Sequence, residues 1–240
     1  MKLFYDLHIH TALSPCGSDD STPNNVVNMA TIMGLDVIAI TDHNSCGNAR
    51  ACVEVGEKAG ILVIPGMELT TSEEIHVVCL FETVEAAERF SAYVENVRMK
   101  IKNKTNIFGN QIYFDSGDNV VGEEQNLLIV SSNIDIYDVA GLVKEYNGVA
   151  FLSHINREGS GAVAMLGGIS HDMGFKTVEF TKFPNDKYLA DNNILGQYRV
   201  LTNSDAHNIE DIMDIESFPN NFLEVKEKSI RAVLDFIDGK

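Results

Sequence analysis

The sequence has no long apolar stretch, and this absence bears on where the protein resides. No apolar run approaches the ~20 residues that span a bilayer. Residues 1–6 also lack the apolar segment and the small-residue cleavage site of a secretory signal. We therefore expect a cytoplasmic protein with no membrane partner, and the sequence leaves its oligomeric state open.

Paired cysteines and positive charge are also scarce. The four cysteines contain no C-x-x-C pair, and a chain of 240 residues can bury a core without disulfides, so we expect reduced cysteines. Lysine and arginine together number 18 against 35 aspartates and glutamates, which gives a net charge of −17. Because such a surface repels polyanions, we expect no long nucleic acid as a partner.

Internal repeats and flexible linkers are absent too, so residues 1–240 are predicted to form a single domain. A polar stretch around residues 103–125 predicts a hairpin insertion in that domain. Short apolar runs without polar alternation, such as residues 36–41 and 61–65, predict strands covered on both faces. Because helix-period segments lie between these runs, the order predicts an α/β fold with a parallel sheet or barrel.

The histidines have an unusual distribution along the chain. Six of the seven lie at an end of an apolar run or just past it, and among these only His76 begins its run. Because strand carboxyl ends converge at one mouth of a β/α barrel, such side chains can meet there. Side chains two residues apart in an extended chain also point to the same side. The six residues are His8, His10, His43, His76, His154 and His207.

Carboxylates accompany these histidines at Asp42, Glu68 and Asp205. Mixed imidazole and carboxylate ligation is typical of Zn²⁺, Mn²⁺ or Fe²⁺ rather than Ca²⁺. Any one of the histidines alone is more often a core or surface residue, and Asp42 can simply belong to a helix N-terminal loop. The joint pattern nevertheless favours metal binding, and because the ligands outnumber those of one ion it predicts a cluster.

The motifs that carry these residues are, in chain order, Asp6-Leu7-His8-Ile9-His10-Thr11, Thr41-Asp42-His43, Pro65-Gly66-Met67-Glu68, His76, Ser153-His154 and Ser204-Asp205-Ala206-His207. Together they resemble the motifs of the polymerase and histidinol phosphatase (PHP) superfamily of metal-dependent phosphoesterases. The chain is similar in particular to a group of bacterial stand-alone PHP proteins. The resemblance implies a distorted seven-stranded (β/α)7 barrel with a metal site at the strand carboxyl ends.

The resemblance also implies three neighbouring ion sites. In this mapping the first ion is held by His8, His10, Glu68 and Asp205, the second by Glu68, His76 and His154, and the third by His43 and His207. Asp6 and Asp42 lie beside the ligands in the sequence. We interpret them either as acceptors that orient ligand imidazoles or as strand-end caps.

The third ion site departs from the family pattern. Histidinol phosphatases often read Cys-Pro-His-Gly where this chain has Ser14-Pro15-Cys16-Gly17, so Cys16 falls on a ligand position and is predicted to complete the site. A thiolate favours Zn²⁺ or Fe²⁺ over Mg²⁺ or Mn²⁺. The alternatives are that Asp19 or Asp20 reaches the ion, or that the third site holds none.

The predicted cofactors are two or three divalent ions of Zn, Mn or Fe. Two ions that share a water lower its pKa toward ~7, and the resulting hydroxide can attack phosphorus. We therefore predict a phosphatase-type hydrolase of a phosphate ester on a small molecule, such as a nucleotide or a phosphorylated metabolite. The alternatives are a short-oligonucleotide exonuclease and a non-catalytic, metal-stabilised binding module.

Arg157 is the predicted phosphate-binding residue. It follows the His154 motif closely, and a guanidinium can bind two phosphate oxygens through its planar fork. The alternative interpretation is a surface arginine on a flexible segment, and Lys182 is a weaker second candidate for the phosphate contact. With Arg157, the carboxylates of Glu68 and Asp205 complete the predicted catalytic set.

Overall fold

A computed structural model describes residues 1–181 and 185–240 of the chain. Within these residues the strands are β1 (Lys2–Ile9), β2 (Val37–Ile40), β3 (Leu62–Thr70), β4 (His76–Phe81), β5 (Ile112–Phe114), β6 (Val120–Glu123), β7 (Gly148–Leu152), β8 (Thr177–Thr181), β9 (Arg199–Asn203) and β10 (Phe222–Glu224). The α-helices are α1 (Pro23–Ile32), α2 (Ala49–Ala59), α3 (Val84–Val97), α4 (Thr105–Phe108), α5 (Ile136–Glu145), α6 (Ala162–Leu166), α7 (Asp186–Asp191) and α8 (Ile230–Ile237).

Local sequence signals explain where helix α1 begins and which face it buries. The Thr22 side chain accepts a hydrogen bond from the backbone N–H of Asn25, and Pro23 occupies the first turn, where its missing N–H costs nothing. Val26 and Val27, one turn further on, are fully buried against the sheet. Strand β2 is buried along its whole length, as its uninterrupted apolar run predicts.

Eight strands form one curled sheet in the order β10-β1-β2-β3-β4-β7-β8-β9. Strands β1, β2 and β3 pair in parallel, as do β7, β8 and β9, whereas β4 runs antiparallel to both of its neighbours and β10 antiparallel to β1. The fold is therefore mixed α/β with a half-barrel sheet. The predicted (β/α)7 barrel is not confirmed in its details, because this sheet has eight strands and two of them are reversed.

The short connection between β3 and β4 explains the reversal of β4. Only residues 71–75 separate the two strands, and a parallel pair needs a crossover of a dozen or more residues. As a result β4 begins with His76 at the edge where β3 ends, which accounts for the one histidine that starts its strand. Helix α3 then returns the chain to the same edge of the sheet.

Residues 98–133 therefore form an insertion at the edge of the sheet where the parallel strands end. Isolated bridges join Arg98 to Ser132 and Lys102 to Asn126, so the outgoing and returning arms run side by side. Between them lie α4 and the two-stranded sheet of β5 and β6. Whether the whole chain forms a single domain stays a prediction.

Side chains close the curled sheet where β1 approaches β9. The backbone N–H of Leu7 donates to the Asn203 side chain at 2.8 Å, and the Asn221 side chain donates to the carbonyls of Tyr5 and Thr202 at 3.1 Å each. Together with an isolated parallel bridge between Ile9 and Ala206, these bonds bring the ends of β1 and β9 to one site. In the described part of the chain, the helices are too short or too polar to cross a bilayer.

Candidate metal centre

A β-bulge in β1 turns the H-x-H motif toward the interior of the sheet. The register between β1 and β2 shifts between Asp6 and Ile9. Leu7 packs in the core that α8 closes, whereas Ile9, two residues later, packs in the core beneath α1 and α2. Because side chains alternate along a strand, this change of face brings His8 and His10 to the same edge as Glu68.

The first ligand group joins two histidines to two carboxylates. The Nε2 atom of His8 lies 3.3 Å from Glu68 Oε1 and 3.3 Å from Asp205 Oδ1. The Nε2 atom of His10 lies 3.4 Å from Glu68 Oε2 and 3.3 Å from Asp205 Oδ1. All four side chains are buried, and their ligand atoms lie within 4.8 Å of one another.

Glu68 also belongs to a second group with His43 and His76. Its Oε2 atom lies 3.1 Å from His43 Nδ1, and its Oε1 atom lies 3.0 Å from His76 Nδ1. The Nε2 atom of His154 approaches the same Oε1 atom at 3.0 Å. One carboxylate is thus surrounded by five imidazoles, which places Glu68 where a residue that bridges two ions would lie.

A third group contains only histidines. His10, His43 and His207 bring one nitrogen each within 4.8 Å of the others, and the ring centroids of His10 and His207 are 4.3 Å apart. Burial and the neighbouring charge of His10 lower the pKa of His207 to about 4, so His207 is neutral at pH 7. Burial likewise holds the pKa of His43 well below its usual value.

Cys16 and Asp19 lie apart from these three groups. Cys16 is exposed as a residue, but its thiol is largely desolvated, and this desolvation together with the negative charge of Glu68 raises the pKa of the thiol to about 12. The carboxylate of Asp19 accepts a hydrogen bond from the Asn110 side chain at 2.7 Å. The assignment of Cys16 as a ligand of the third ion therefore stays a prediction.

Several buried atoms of the site have polar neighbours but no hydrogen bond of good geometry. They are His43 Nδ1, His154 Nδ1 and Asp205 Oδ1. Buried polar groups normally form well-aligned hydrogen bonds, so imidazole nitrogens and a carboxylate oxygen that lack them fit a cation that accepts their lone pairs. The donor set of nitrogens and carboxylate oxygens suits divalent transition metals. The residues present therefore fit the implied metal ions.

Glu179, which sequence reasoning missed, fixes the orientation of His8. Its oxygens accept from His8 Nδ1 at 2.9 and 3.1 Å, so the Nε2 atom of His8 faces Glu68. Glu179 is fully buried and also accepts from the Asn203 side chain and from the backbone N–H of His154. A lone acidic residue inside the apolar run of β8 was the available signal.

Asp42 and Asp6 form hydrogen bonds with serines that lie between them and the ligand residues. Asp42 accepts from Ser14 Oγ at 2.7 Å, and Ser14 Oγ lies 2.9 Å from His10 Nδ1. Asp6 accepts from the backbone N–H of Ser204 at 3.1 Å and from its hydroxyl at 2.5 Å, which holds the turn before Asp205. Neither aspartate contacts a ligand imidazole directly, because serines stand between.

Arg157 lies at the mouth of the site, where its Nη2 atom is 2.5 Å from Asp205 Oδ2. The side chain is 45% exposed. Gly161 packs against this loop so closely that a Cβ there would lie 2.6 Å from the carbonyl oxygen of Arg157. Lys182, the weaker phosphate candidate, lies outside the described residues.

A cavity of about 440 Å³ opens beside Asp205 and Arg157. Ile212 and Phe218 contribute apolar surface to its lining, and Ser204 contributes a hydroxyl. The volume falls within the range of about 300–1,000 Å³ that is usual for small-ligand pockets. Asp205 therefore connects the metal centre to this cavity, whose lining also includes the acidic residues Glu210, Asp211 and Asp214.

The sequence profile of the PHP domain matches residues 6–159. The chain belongs to the PHP domain family. The family predicted from the motifs is therefore confirmed.

Curated relatives match shorter stretches of the chain. An uncharacterised protein of Methanocaldococcus jannaschii is 36% identical over 76 residues, which are 28% of this chain and 44% of that protein. A 5′-3′ exoribonuclease of Salmonella typhimurium is 36% identical over 83 residues, which are 32% of this chain and 27% of the enzyme. The chain thus spans less than half the length of these two relatives.

Among solved structures, the lesion-specific endonuclease Q of Pyrococcus furiosus matches the whole chain with a TM-score of 0.68 and 18% identity. The match covers 56% of that enzyme. At this level of identity the likeness shows the fold, which is the mixed α/β fold described above.

The expectation that excluded long nucleic acid is wrong. An endonuclease Q complex, which matches this chain with a TM-score of 0.67 and 16% identity, holds a 27-mer duplex substrate with an abasic lesion at its active site. The same fold therefore accommodates long DNA. The expectation failed because the net charge of −17 is summed over the whole chain, whereas substrate binding depends on the local field at the site.

Proposed function

We propose that this protein is a metal-dependent phosphoesterase that acts on nucleotide phosphates, with the phosphoryl group at the Glu68 centre. The observation that carries the proposal is the buried carboxylate of Glu68 within about hydrogen-bond distance of five imidazoles, with Asp205 beside it. A structural core gains nothing from so many buried titratable groups unless a cation pairs with them. The adjoining cavity supports a substrate group about the size of a nucleoside.

Two or three divalent ions of Zn, Mn or Fe are the proposed cofactors. The first would be held by His8, His10, Glu68 and Asp205, and the second by Glu68 with His43, His76 and His154. His10, His43 and His207, with Cys16 as a further candidate, would hold the third. When bound, such ions supply an activated water for in-line attack and neutralise the phosphoryl oxygens.

The residues around the centre prepare it for that chemistry. Glu179 keeps the Nδ1 proton of His8 on the outer side, and Ser14 does the same for His10, so both Nε2 atoms face the ligand carboxylates. Arg157 keeps free donors at the mouth, where its guanidinium can bind a non-bridging phosphate oxygen. Asp6 and Ser204 fix the turn that presents Asp205.

A second candidate is exonuclease action on the end of a short oligonucleotide. The similarity to the exoribonuclease of Salmonella typhimurium favours it, because that match shares 36% identity over 83 residues. The two candidate activities use the same metal centre and differ in the part of the substrate that is attached to the reacting phosphate.

The test is a substrate comparison with metal-free protein that has been reloaded with Zn²⁺, Mn²⁺ or Fe²⁺. The panel is p-nitrophenyl phosphate, bis(p-nitrophenyl) phosphate, mononucleotides and short oligonucleotides. We expect hydrolysis in the loaded protein and its loss on chelation. Full metal binding without hydrolysis of any member of the panel would contradict the proposal and favour the non-catalytic binding module.

A further inference from the structure

An exposed strip of alternating basic and apolar residues lies on the insertion, at residues 99–108, and is called here the rim strip. Four of its apolar side chains are exposed, although large apolar groups are usually buried. They are Met99 at 46%, Ile101 at 49%, Ile107 at 63% and Phe108 at 38% exposure. Lys100, Lys102 and Lys104 alternate with the first of them, in a chain whose net charge is −17.

The charge of the rim strip is largely free. Within the described part of the chain, Lys102 and Lys104 are exposed and form no ion pair, while Lys100 pairs with Glu95. No further lysine or arginine occurs in the sequence until Lys144. The rim strip is therefore a local source of positive charge in an acidic protein.

The rim strip is connected to the metal centre through a short series of contacts. Ser14 hydrogen-bonds His10 at 2.9 Å, and the next residue, Pro15, packs so closely on Gly109 that a Cβ there would lie 2.2 Å from the Pro15 carbonyl oxygen. The Asn103 side chain donates to the Gly109 carbonyl at 3.0 Å. These contacts place the rim strip beside the loop that carries Ser14, on the His10 side of the metal centre.

We propose that the rim strip binds a single strand of nucleic acid whose terminal phosphate lies at the metal centre. Lys102 and Lys104 would contact backbone phosphates, and Phe108 would stack on an unpaired base. A duplex hides its base faces, so the exposed Phe108 ring fits a single strand better. The inference rests on the phosphoesterase activity proposed above and assigns it a substrate that extends beyond one nucleotide.

The test measures binding without catalysis. Fluorescence anisotropy of a labelled oligothymidylate of about a dozen nucleotides is recorded in EDTA at low salt. We expect the double variant Lys102→Glu with Lys104→Glu to weaken binding at least about tenfold. The matched control, Lys58→Glu with Lys226→Glu, makes the same change of net charge on exposed lysines away from the insertion and should leave binding within about twofold. Equal losses in both variants would overturn the inference.

Phe108 gives a second, charge-independent test. Phe108→Leu keeps an apolar side chain but removes the stacking face, so we expect binding about five- to tenfold weaker. The length dependence of KM in the unmodified protein needs no variant, and KM should fall from mononucleotide to oligonucleotide. A KM that does not change with length would contradict the proposal.

Hydrolysis of bis(p-nitrophenyl) phosphate separates this inference from the proposed function. The ester is too small to reach the rim strip, so all the variants should cleave it at the unmodified rate. Cleavage of the ester without oligonucleotide binding would overturn the rim-strip inference alone, and absence of cleavage with intact oligonucleotide binding would overturn the proposed activity alone. Binding of the strip to anionic phospholipid vesicles in place of the oligonucleotide would also overturn the inference.

Discussion

The two sides of the metal centre are built from different groups. On one side, His8 and His10 face Glu68 and Asp205, and Glu179 supports His8 from behind. On the other side, His43 and His207 join His10 in a group without a carboxylate. Carboxylates attract both protons and cations, so the first side should bind metal more tightly, whereas the second side should exchange its ion more readily.

The histidines on the two sides also differ in their pKa values. Burial lowers the pKa of His10, but its hydrogen bonds to Asp205 and Glu68 outweigh burial and raise the pKa to about 9. Burial also opposes the charge on His8, and the carboxylates of Glu179 and Glu68 raise its pKa well above the usual value. His43 and His207 have lowered pKa values instead. A single cluster at the strand ends can therefore contain charged histidines on one side and neutral histidines on the other.

The largest expected effect comes from Glu68→Gln, because Glu68 is common to the first two ligand groups. We expect the loss of at least one metal equivalent and a fall in kcat greater than the roughly 10- to 100-fold that outer-shell changes cost. The circular dichroism spectrum should stay unchanged, since the apolar core of the protein is formed by other residues. Retention of both metal content and kcat would show that Glu68 is not a ligand common to the first two ion sites.

Glu179→Gln should weaken the carboxylate side selectively. Loss of the negative charge behind His8 makes Nε2 a poorer ligand, so we expect metal affinity about 10- to 100-fold lower for the tightest ion. Calorimetric metal titration measures this, and Glu210→Gln, an exposed residue on the cavity wall, is the matched control. An equal effect of both variants would mean that Glu179 acts only through overall charge.

The pH dependence of the metal-free protein provides a third test. The folded pKa of His10 is about 9 against an ordinary 6.5, so its contribution to stability is fully present below pH 6.5 and is lost as the pH rises through about 9. We expect the melting temperature of the metal-free protein to fall across that window. In His10→Asn the fall should be smaller, and a melting temperature that rises from pH 6.5 to 9 would contradict the argument.

The smallest expected effect concerns the side without carboxylates. His207→Ala should remove one metal equivalent while the tightest ion stays bound, because His207 belongs only to the all-histidine group. Cys16→Ser then decides whether the thiol completes that site. The prediction is the loss of one equivalent in Cys16→Ser as well, measured by metal analysis. Loss of the ion in Asp19→Ala with full content in Cys16→Ser would assign the site to Asp19.

Apolar runs in the sequence were sufficient to predict six histidines at strand ends, and the structure brings these six together, whereas their role as metal ligands stays a prediction. It could not predict that β4 runs antiparallel, which depends on the short connection of residues 71–75. Glu179 was missed because its partner His8 is 171 residues away and no local spacing links them. The exclusion of nucleic acid failed for a related reason, since a summed charge carries no information on where the lysines of the rim strip lie.

The most direct measurement of the central claim is an anomalous-diffraction map of crystals grown with Mn²⁺ or Zn²⁺. We expect one peak beside His8, His10, Glu68 and Asp205 and a second beside Glu68, His43 and His76. Peaks confined to surface residues, with none within coordination distance of Glu68, would contradict the account.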